Sequence, residues 1–376
     1  MQGTYDIVIL GAGPAGSAAA LALTNSNLKI ALIDRSSFPR HKICGDAIPG
    51  KSQRFLREVW PEIDSVLDDY PQKENIKHAE VVGSNGKAIT INWKLKAYNF
   101  KREDFDNILF QEVKRRNKVD ILENHSIIKI KKGANDLTLI GTDESEIKCK
   151  IVIGCDGANS IVSKELAKEG TNRDQYGFAV AAYFENVDCP DETNLAYIPA
   201  KHQPGYFWIF PLGQNQYNVG FGLLGKSQRN LKKVLEEIIH EDSAIASRFK
   251  QAEQKSQSYT FGLPMGGNSF RRIQGERFML CGDAAYLIDP LQGHGIDKAI
   301  RSGIIAAKAA EKGIAGNAVT SFPEYQTEIE KEFGEELKKN YRIMRFLSKN
   351  PRVVSFLTSI AQFKPLERKI QKLVYG

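Results

Sequence analysis

The feature that most constrains the fold is at the front of the chain, where the apolar, β-branched run Tyr5-Asp6-Ile7-Val8-Ile9-Leu10 feeds directly into Gly11-Ala12-Gly13-Pro14-Ala15-Gly16. The small residues 17–24 follow and read as a helix, so the order is strand, G-x-G-x-x-G turn, helix. In that order Gly11 permits the tight turn, Gly13 lets the backbone approach a pyrophosphate and Gly16 lets helix and strand pack closely. The phosphates then sit at the electropositive helix N-terminus, beside Pro14 and Ala15. A second apolar run, 28–33, ends at Asp34, 23 residues beyond Gly11, close to the ~20 at which a carboxylate receives the ribose hydroxyls of a dinucleotide. The turn alone leaves open which dinucleotide that is.

At 376 residues the chain suits about two domains plus an extension. Its 42% hydrophobic and 26% charged residues are those of an ordinary globular protein. The first strand begins almost at once, so no signal peptide is expected. The longest apolar stretch, 7–24, is interrupted by three glycines and a proline, and no transmembrane helix is expected. Five widely spaced cysteines without C-x-x-C indicate neither a disulfide framework nor a metal site, and a reducing cytoplasm is the simplest setting. The net charge of +7 is unevenly placed: residues 338–376 carry ten Lys and Arg against one acid, Glu367, so the rest of the chain is slightly acidic.

After Asp34 comes a basic, turn-rich loop from Arg35 to Asp46, containing Cys44 and Gly45, whose cations could reach phosphate. Residues 53–69 show helical spacing. Residues 76–93 read as two strands around Asn85-Gly86, a hairpin signal that interrupts the βαβ pattern and marks an antiparallel unit threaded through the first. A helix is expected from about Arg102 to Arg116, then a meander over 119–154 that ends in Gly154-Cys155-Asp156-Gly157. Residues 177–261 read as strands with one helical block, 231–251. The strands Gly205–Pro211 and Gln216–Leu224 are expected to be antiparallel neighbours. The chain then returns through a strand at 276–280 to Cys281-Gly282-Asp283. Asp289-Pro290-Leu291-Gln292-Gly293-His294-Gly295-Ile296 follows and opens a long helix to about Lys312. This second glycine-rich helix start offers bare N–H groups to another electron-rich ligand edge.

These features, in this order, resemble the glutathione-reductase-type FAD fold, in the branch that holds aromatic hydroxylases, flavin halogenases and geranylgeranyl reductases. The resemblance implies a mixed α/β and α+β chain: a Rossmann-like FAD-binding domain (1–70, 98–175 and 265–325), an interleaved antiparallel-sheet substrate domain (71–97 and 176–264) and a basic helical segment (326–376). It implies that Gly11, Gly13, Pro14, Ala15 and Gly16 hold the FAD pyrophosphate and Asp34 the adenosine ribose, with Arg35, Cys44 and Gly45 also at the cofactor. Arg102 would contact the phosphates or ribose, and Gly282 and Asp283 the ribityl and phosphate portion. Pro290, Gly293, Gly295 and Ile296 would hold the pyrimidine edge of the flavin. Asp156-Gly157 would serve both FAD and a passing nicotinamide. Within the branch, Gly205-Tyr206-Phe207-Trp208-Ile209-Phe210-Pro211 with Asn218-Val219-Gly220 is similar to the Y-x-W-x-F-P…N-V-G signature of geranylgeranyl reductases. Cys44 falls where that family has a cysteine, although Cys44-Gly45-Asp46-Ala47 replaces the Cys-x-Gly-Gly common in archaeal members.

Alternate side chains of a strand share a face, so Tyr206, Trp208 and Phe210 either line an apolar channel or form an ordinary aromatic core. The resemblance implies reduction of C=C bonds of a prenyl, geranylgeranyl-type lipid, which needs a hydride and a proton, with reduced FAD as the hydride source. Cys44 and Asp46 are candidates at the reacting carbons, with Tyr206 and Trp208 beside them. The competing expectation is an FAD monooxygenase acting on a quinone or other aromatic. A halogenase is matched less well, because one tryptophan in 207–211 stands against W-x-W-x-I-P. A flavin-free carrier is disfavoured by the intact glycines, Asp34 and Asp283. There is no second G-x-G-x-x-G, so electrons would come from NAD(P)H or a ferredoxin-type donor. In the tail, Val353, Leu357 and Ile360, with Phe356 alongside, are surrounded by Arg342, Arg345, Lys349, Arg352, Lys364, Arg368, Lys369 and Lys372. That pattern suits either peripheral contact with an anionic membrane or a helical cap. No motif supports nucleic-acid binding, and the oligomeric state is not legible.

Overall fold

Residues 7–10 and 30–33 are almost wholly inaccessible to solvent, as apolar runs must be when a parallel sheet is covered on both faces. The computed structural model describes residues 2–202, 205–224 and 230–350, together with Val353 and Phe356. Its first sheet is ordered Asp120–Leu122, Ile30–Ile33, Gln2–Leu10, Glu146–Gly154, Phe278–Leu280, Gln274–Gly275. The first five strands are parallel. Ile127–Lys132 and Leu137–Gly141 continue from Glu146–Gly154 as an antiparallel meander. The helices Pro14–Ala22 and Ile296–Ala315 pack side by side, so closely that a Cβ on Gly303 would stand 2.1 Å from the Ala15 carbonyl oxygen.

The second sheet runs Glu253–Gln254, Tyr176–Glu185, Gln216–Leu224, Gly205–Pro211, Thr193–Tyr197, Glu74–Val82, Ala88–Asn99, Ala47–Ile48, with Tyr259–Pro264 also on Tyr176–Glu185. One of its faces packs on the amphipathic helix Leu231–Glu241, burying Leu235 and Ile238 against Val180, Ile209 and Phe221. Ala179, Ala181 and Trp208, with Tyr206, Phe210, Phe261 and Leu263, form the opposite face.

The hairpin around Asn85-Gly86 and the pairing of Gly205–Pro211 with Gln216–Leu224 are present. Three details differ from the sequence expectation. The helical spacing over 53–69 resolves into two short helices, Gly50–Leu56 and Ile63–Asp69, separated around Pro61, whose missing N–H interrupts a helical ladder. The block 231–251 is α-helical only over Leu231–Glu241, with a short 3-10 helix at Ala246–Phe249. Asp242 leaves the helical backbone, and its carboxylate takes the Ala244 N–H and the Tyr197 hydroxyl instead, the competition an Asp side chain offers a helix. The second sheet is also not wholly antiparallel, because Thr193–Tyr197 runs parallel to Glu74–Val82.

The last described helix is Glu335–Lys349, with Arg342, Arg345 and Lys349 exposed on it. Of the amphipathic tail, Leu357, Ile360 and the basic residues from Lys364 onward lie outside the described residues, as does Arg352. Among the described residues no helix is long and apolar enough to cross a membrane, and no group of His, Cys, Asp and Glu could hold a metal ion. All five cysteines are free.

Candidate active site

The carboxyl ends of the parallel strands converge through one ladder. Gly11 N–H donates to Ile33, Cys155 N–H to Leu10 and Cys281 N–H to Gly154, at 2.7–2.9 Å. Gly11 has φ +98°, and a Cβ there would lie 2.3 Å from the Cys155 carbonyl oxygen. A Cβ on Gly16 would lie 1.8 Å from the Gly11 carbonyl oxygen. Gly13 begins the helix Pro14–Ala22 without a side-chain cap, and its missing Cβ faces only the Arg40 guanidinium, 3.3 Å away. Asp34 accepts the Ala12 and Ser36 N–H groups at 2.8 and 2.9 Å. Arg40 bridges Asp34 (3.9 Å) and Asp106 (3.4 Å) and lies over the Phe38 ring.

Arg102 opens the helix Arg102–Arg116, and its guanidinium forms a buried bidentate pair with Asp106 at 2.7 and 2.8 Å. Burial works against the charge, but Asp106 and the Cys44 thiol beside it more than offset this and hold the Arg102 pKa above the ordinary arginine value. Asp46 is fully buried with φ +63°. Its carboxylate accepts from Asn218 Nδ2 (2.8 Å), the Tyr183 hydroxyl (2.9 Å) and the Arg102 N–H (3.0 Å). Burial nevertheless pushes its pKa up to about 6. Asn218 also donates to the Cys44 carbonyl at 2.8 Å and accepts from Trp208 Nε1 at 2.8 Å. The N-V-G and W-x-F-P segments are thereby tied to the Cys44 loop.

A cavity of about 990 Å³ runs from the strand ends onto the second sheet, at the upper end of the ~300–1,000 Å³ range of ligand sites. Gly11, Gly13, Pro14, Ala15, Asp34, Arg35, Cys44, Gly45, Arg102, Asp156 and Gly157 line it. So do Tyr206, Trp208, Gly282, Asp283, Pro290, Gly293, Gly295 and Ile296. Two residues singled out from sequence do not: Gly16 lies behind the turn, and Asp46 lies beneath the wall, tied to the Cys44 carbonyl through Asn218. Tyr206 reaches toward the loop at Gln292 and Gly293, and burial pushes its pKa up to about 12.

Sequence reasoning missed the far floor, formed by Ala79, Val81, Ile89, Ile91, Trp93, Leu95, Ala97 and Ala196. It also missed the wall supplied by Glu336, Lys339, Asn340, Met344 and Leu347 of the last helix. The i, i+2 apolar spacing of residues 89–97 was the available signal for the floor.

These features suit FAD. The cavity joins an uncapped helix start, open at Gly13, to the glycine-rich loop before Ile296–Ala315. The buried Asp156 Oδ1 has no partner among the described residues, while its Oδ2 accepts the Ile161 and Val162 N–H groups.

Residues 4–334 match the FAD binding domain family. The chain is 27% identical to a menaquinone reductase of Mycobacterium tuberculosis, over 81% of this chain and 76% of that one. It is 29% identical to a digeranylgeranylglycerophospholipid reductase of Methanosarcina acetivorans, over 85% and 78%. Among solved structures, a geranylgeranyl bacteriochlorophyll reductase-like protein from Thermoplasma acidophilum superposes with TM-score 0.76 at 23% identity, covering 98% of this chain and 91% of that one. A flavin-dependent brominase superposes with TM-score 0.77 at 20% identity, covering 98% and 93%. The fold is thus shared by reductases and halogenases, and with the family matched over most of its length the chain belongs to the FAD binding domain family and is an FAD-dependent oxidoreductase.

Proposed function

We propose that the chain reduces C=C bonds of a prenyl lipid. The observation that carries this reading is the apolar floor. It extends from Trp208 across the strands Thr193–Tyr197 and Glu74–Val82 to Ile91 on Ala88–Asn99, three strand steps or roughly 14 Å at the ~4.8 Å spacing of a sheet. A flat aromatic substrate needs no such length, whereas an isoprenoid chain would fill it. The names of the two curated relatives, reductases of menaquinone and of digeranylgeranylglycerophospholipid, agree with a lipid substrate.

In this reading Gly11, Gly13 and the helix start at Pro14 and Ala15 bind the FAD pyrophosphate, and Asp34, beside Arg35, binds the ribose. Arg102, Asp156-Gly157 and Gly282-Asp283 contact the middle of the cofactor. Pro290, Gly293, Gly295 and Ile296 would hold the flavin ring, with Cys44 and Gly45 in the same cavity. Bound reduced FAD supplies a hydride to one carbon. Tyr206 and Trp208 position the double bond and exclude water, and the proton for the other carbon comes from Cys44 or Tyr206, both in the cavity wall. Asp46 acts indirectly, holding the Cys44 carbonyl in place through Asn218. The reductant is NAD(P)H or a ferredoxin-type protein. Leu95 and Phe346, 45% and 56% exposed, together with Arg342, Arg345 and Lys349, supply peripheral contact with an anionic membrane on the cytoplasmic side.

The test is anaerobic incubation of the reduced protein with a geranylgeranyl lipid, followed by mass spectrometry. Gain of one pair of hydrogens per reduced bond is expected. An unchanged lipid, with substrate-dependent oxygen uptake on a quinone or other aromatic instead, overturns the reading in favour of a monooxygenase.

A further inference from the structure

Asn340 lies on the helix Glu335–Lys349, in the cavity wall, and is only 2% exposed. Chemistry fixes the orientation of its amide. Nδ2 donates at 2.6 Å to Asp289 Oδ2, and a carboxylate cannot receive that bond from the amide oxygen. Asp289 is itself committed: its Oδ1 accepts the Leu291 and Gln292 N–H groups at 2.9 and 2.8 Å. Its backbone accepts from Gly293 and donates to His294. The amide is therefore clamped to the loop that opens Ile296–Ala315, and it cannot flip without leaving Nδ2 without its acceptor.

Asn340 Oδ1 is then a buried acceptor with no donor among the described residues. Such an atom forfeits its hydration and gains nothing in return, and native proteins keep few of them. Asn340 is among the residues that line the ligand-sized cavity, which gives the missing donor a place to come from. We infer that Asn340 Oδ1 accepts a hydrogen bond from an N–H or O–H of a molecule bound in the cavity. The chemistry is selective, because a carbonyl, ether or ionised phosphate edge offers only acceptors and would be repelled there. Two sources carry such a hydrogen: the imide N–H of the flavin ring and a hydroxyl on the substrate. The flavin source is independent of the prenyl-lipid reading, whereas the hydroxyl source rests on it.

The test compares ligand pairs that differ by one hydrogen, FAD against N3-methyl-FAD and a prenyl alcohol against its methyl ether, in the wild type and in Asn340→Leu. Flavin affinity is read by fluorescence quenching on reconstitution of the full-length apoprotein. Alcohol and ether affinities are read from the perturbed flavin spectrum of the holoenzyme. The wild type is expected to prefer the hydrogen-bearing member of one pair by about tenfold, and Asn340→Leu to lose that preference. Loss in the flavin pair assigns the bond to the cofactor, and loss in the alcohol pair assigns it to the substrate. General loosening of the Asp289 loop would weaken both members of a pair alike and leave the ratio unchanged. A flavin ratio equal in the two proteins, with an alcohol preference equal or absent in both, overturns the inference. Failure of any prenyl compound to bind the wild type counts against the substrate reading, while the flavin pair still decides its own arm.

Discussion

The two ends of the cavity are built from different parts of the polypeptide. At the parallel strand ends the wall is largely backbone: the helix start and the side-chain-free Gly11 and Gly13, with Gly16 packed behind them on the Gly11 carbonyl. Over the second sheet the wall is side chains at alternate positions, from Trp208 to Ile91. On the proposed reading, a group that does not change, the cofactor's diphosphate, is met by geometry that tolerates no change, and a group that can vary, the substrate, is met by side chains that can be exchanged without moving a strand. One substitution at each end puts this contrast at risk. Gly16→Ala would set a methyl 1.8 Å from the Gly11 carbonyl oxygen, and FAD affinity is expected to fall by at least ~100-fold, because overpacking against backbone costs up to several kcal/mol. Gly222→Ala adds a methyl 3.5 Å from its nearest neighbours, an ordinary contact, in the second-sheet half of the wall. Its FAD affinity should stay within about twofold of wild type, since nothing need shift. Flavin titration of both variants decides it, and equal losses would end the distinction.

Asp46 sits where the two ends meet, and its effect should be next in size. Its folded pKa is about 6, against ~3.9 for an unperturbed Asp in an unfolded chain. Below pH ~4 both states hold the proton and there is no differential cost. Between pH ~4 and ~6 the unfolded chain ionises first, so stability falls as pH rises, then levels off above the folded pKa. The depth is on the order of 3 kcal/mol. In urea melts at pH 4, 5 and 7, the wild type should lose stability relative to Asp46→Asn across this window. A constant difference between the two proteins would mean that Asp46 is not held near neutrality by burial.

The same contrast explains what could be read in advance. Backbone geometry is encoded in residue types with few alternatives, so Gly11, Gly13, Asp34, Asp156-Gly157 and Gly282-Asp283 were visible as a series. The aromatic strand Gly205–Pro211 was legible by alternation. The Ala88–Asn99 floor carries the same signal, yet apolar alternation there suits a core face as well as a cavity face, and the difference rests on what packs opposite. Asp46 shows the other limit. As a carboxylate next to Cys44 it reads as a candidate acid, but its place under the wall depends on Tyr183 and Asn218, residues 137 and 172 positions away. Asn340 gave no local sign at all, because an Asn in a charged helix is ordinarily solvated.

The smallest expected effect tests whether the floor belongs to the substrate alone. Ile91 pairs in register with Ala79, and both line the cavity. Thr90 is exposed and pairs with Glu80 on the opposite face. Ile91→Trp therefore fills the far arm, whereas Thr90→Trp places the same ring outside it, since successive side chains of a strand alternate faces. Because the added volume enters open space rather than a packed core, the overpacking penalty of ~1–3 kcal/mol should largely be avoided, and flavin affinity should be unchanged in both variants. With Ile91→Trp, KM for a long prenyl substrate is expected to rise about tenfold, and for a short one hardly at all, as loss of about two buried methylenes at ~0.8 kcal/mol each predicts. Thr90→Trp should match the wild type on both. A chain-length effect shared by the two variants would locate the substrate away from this face.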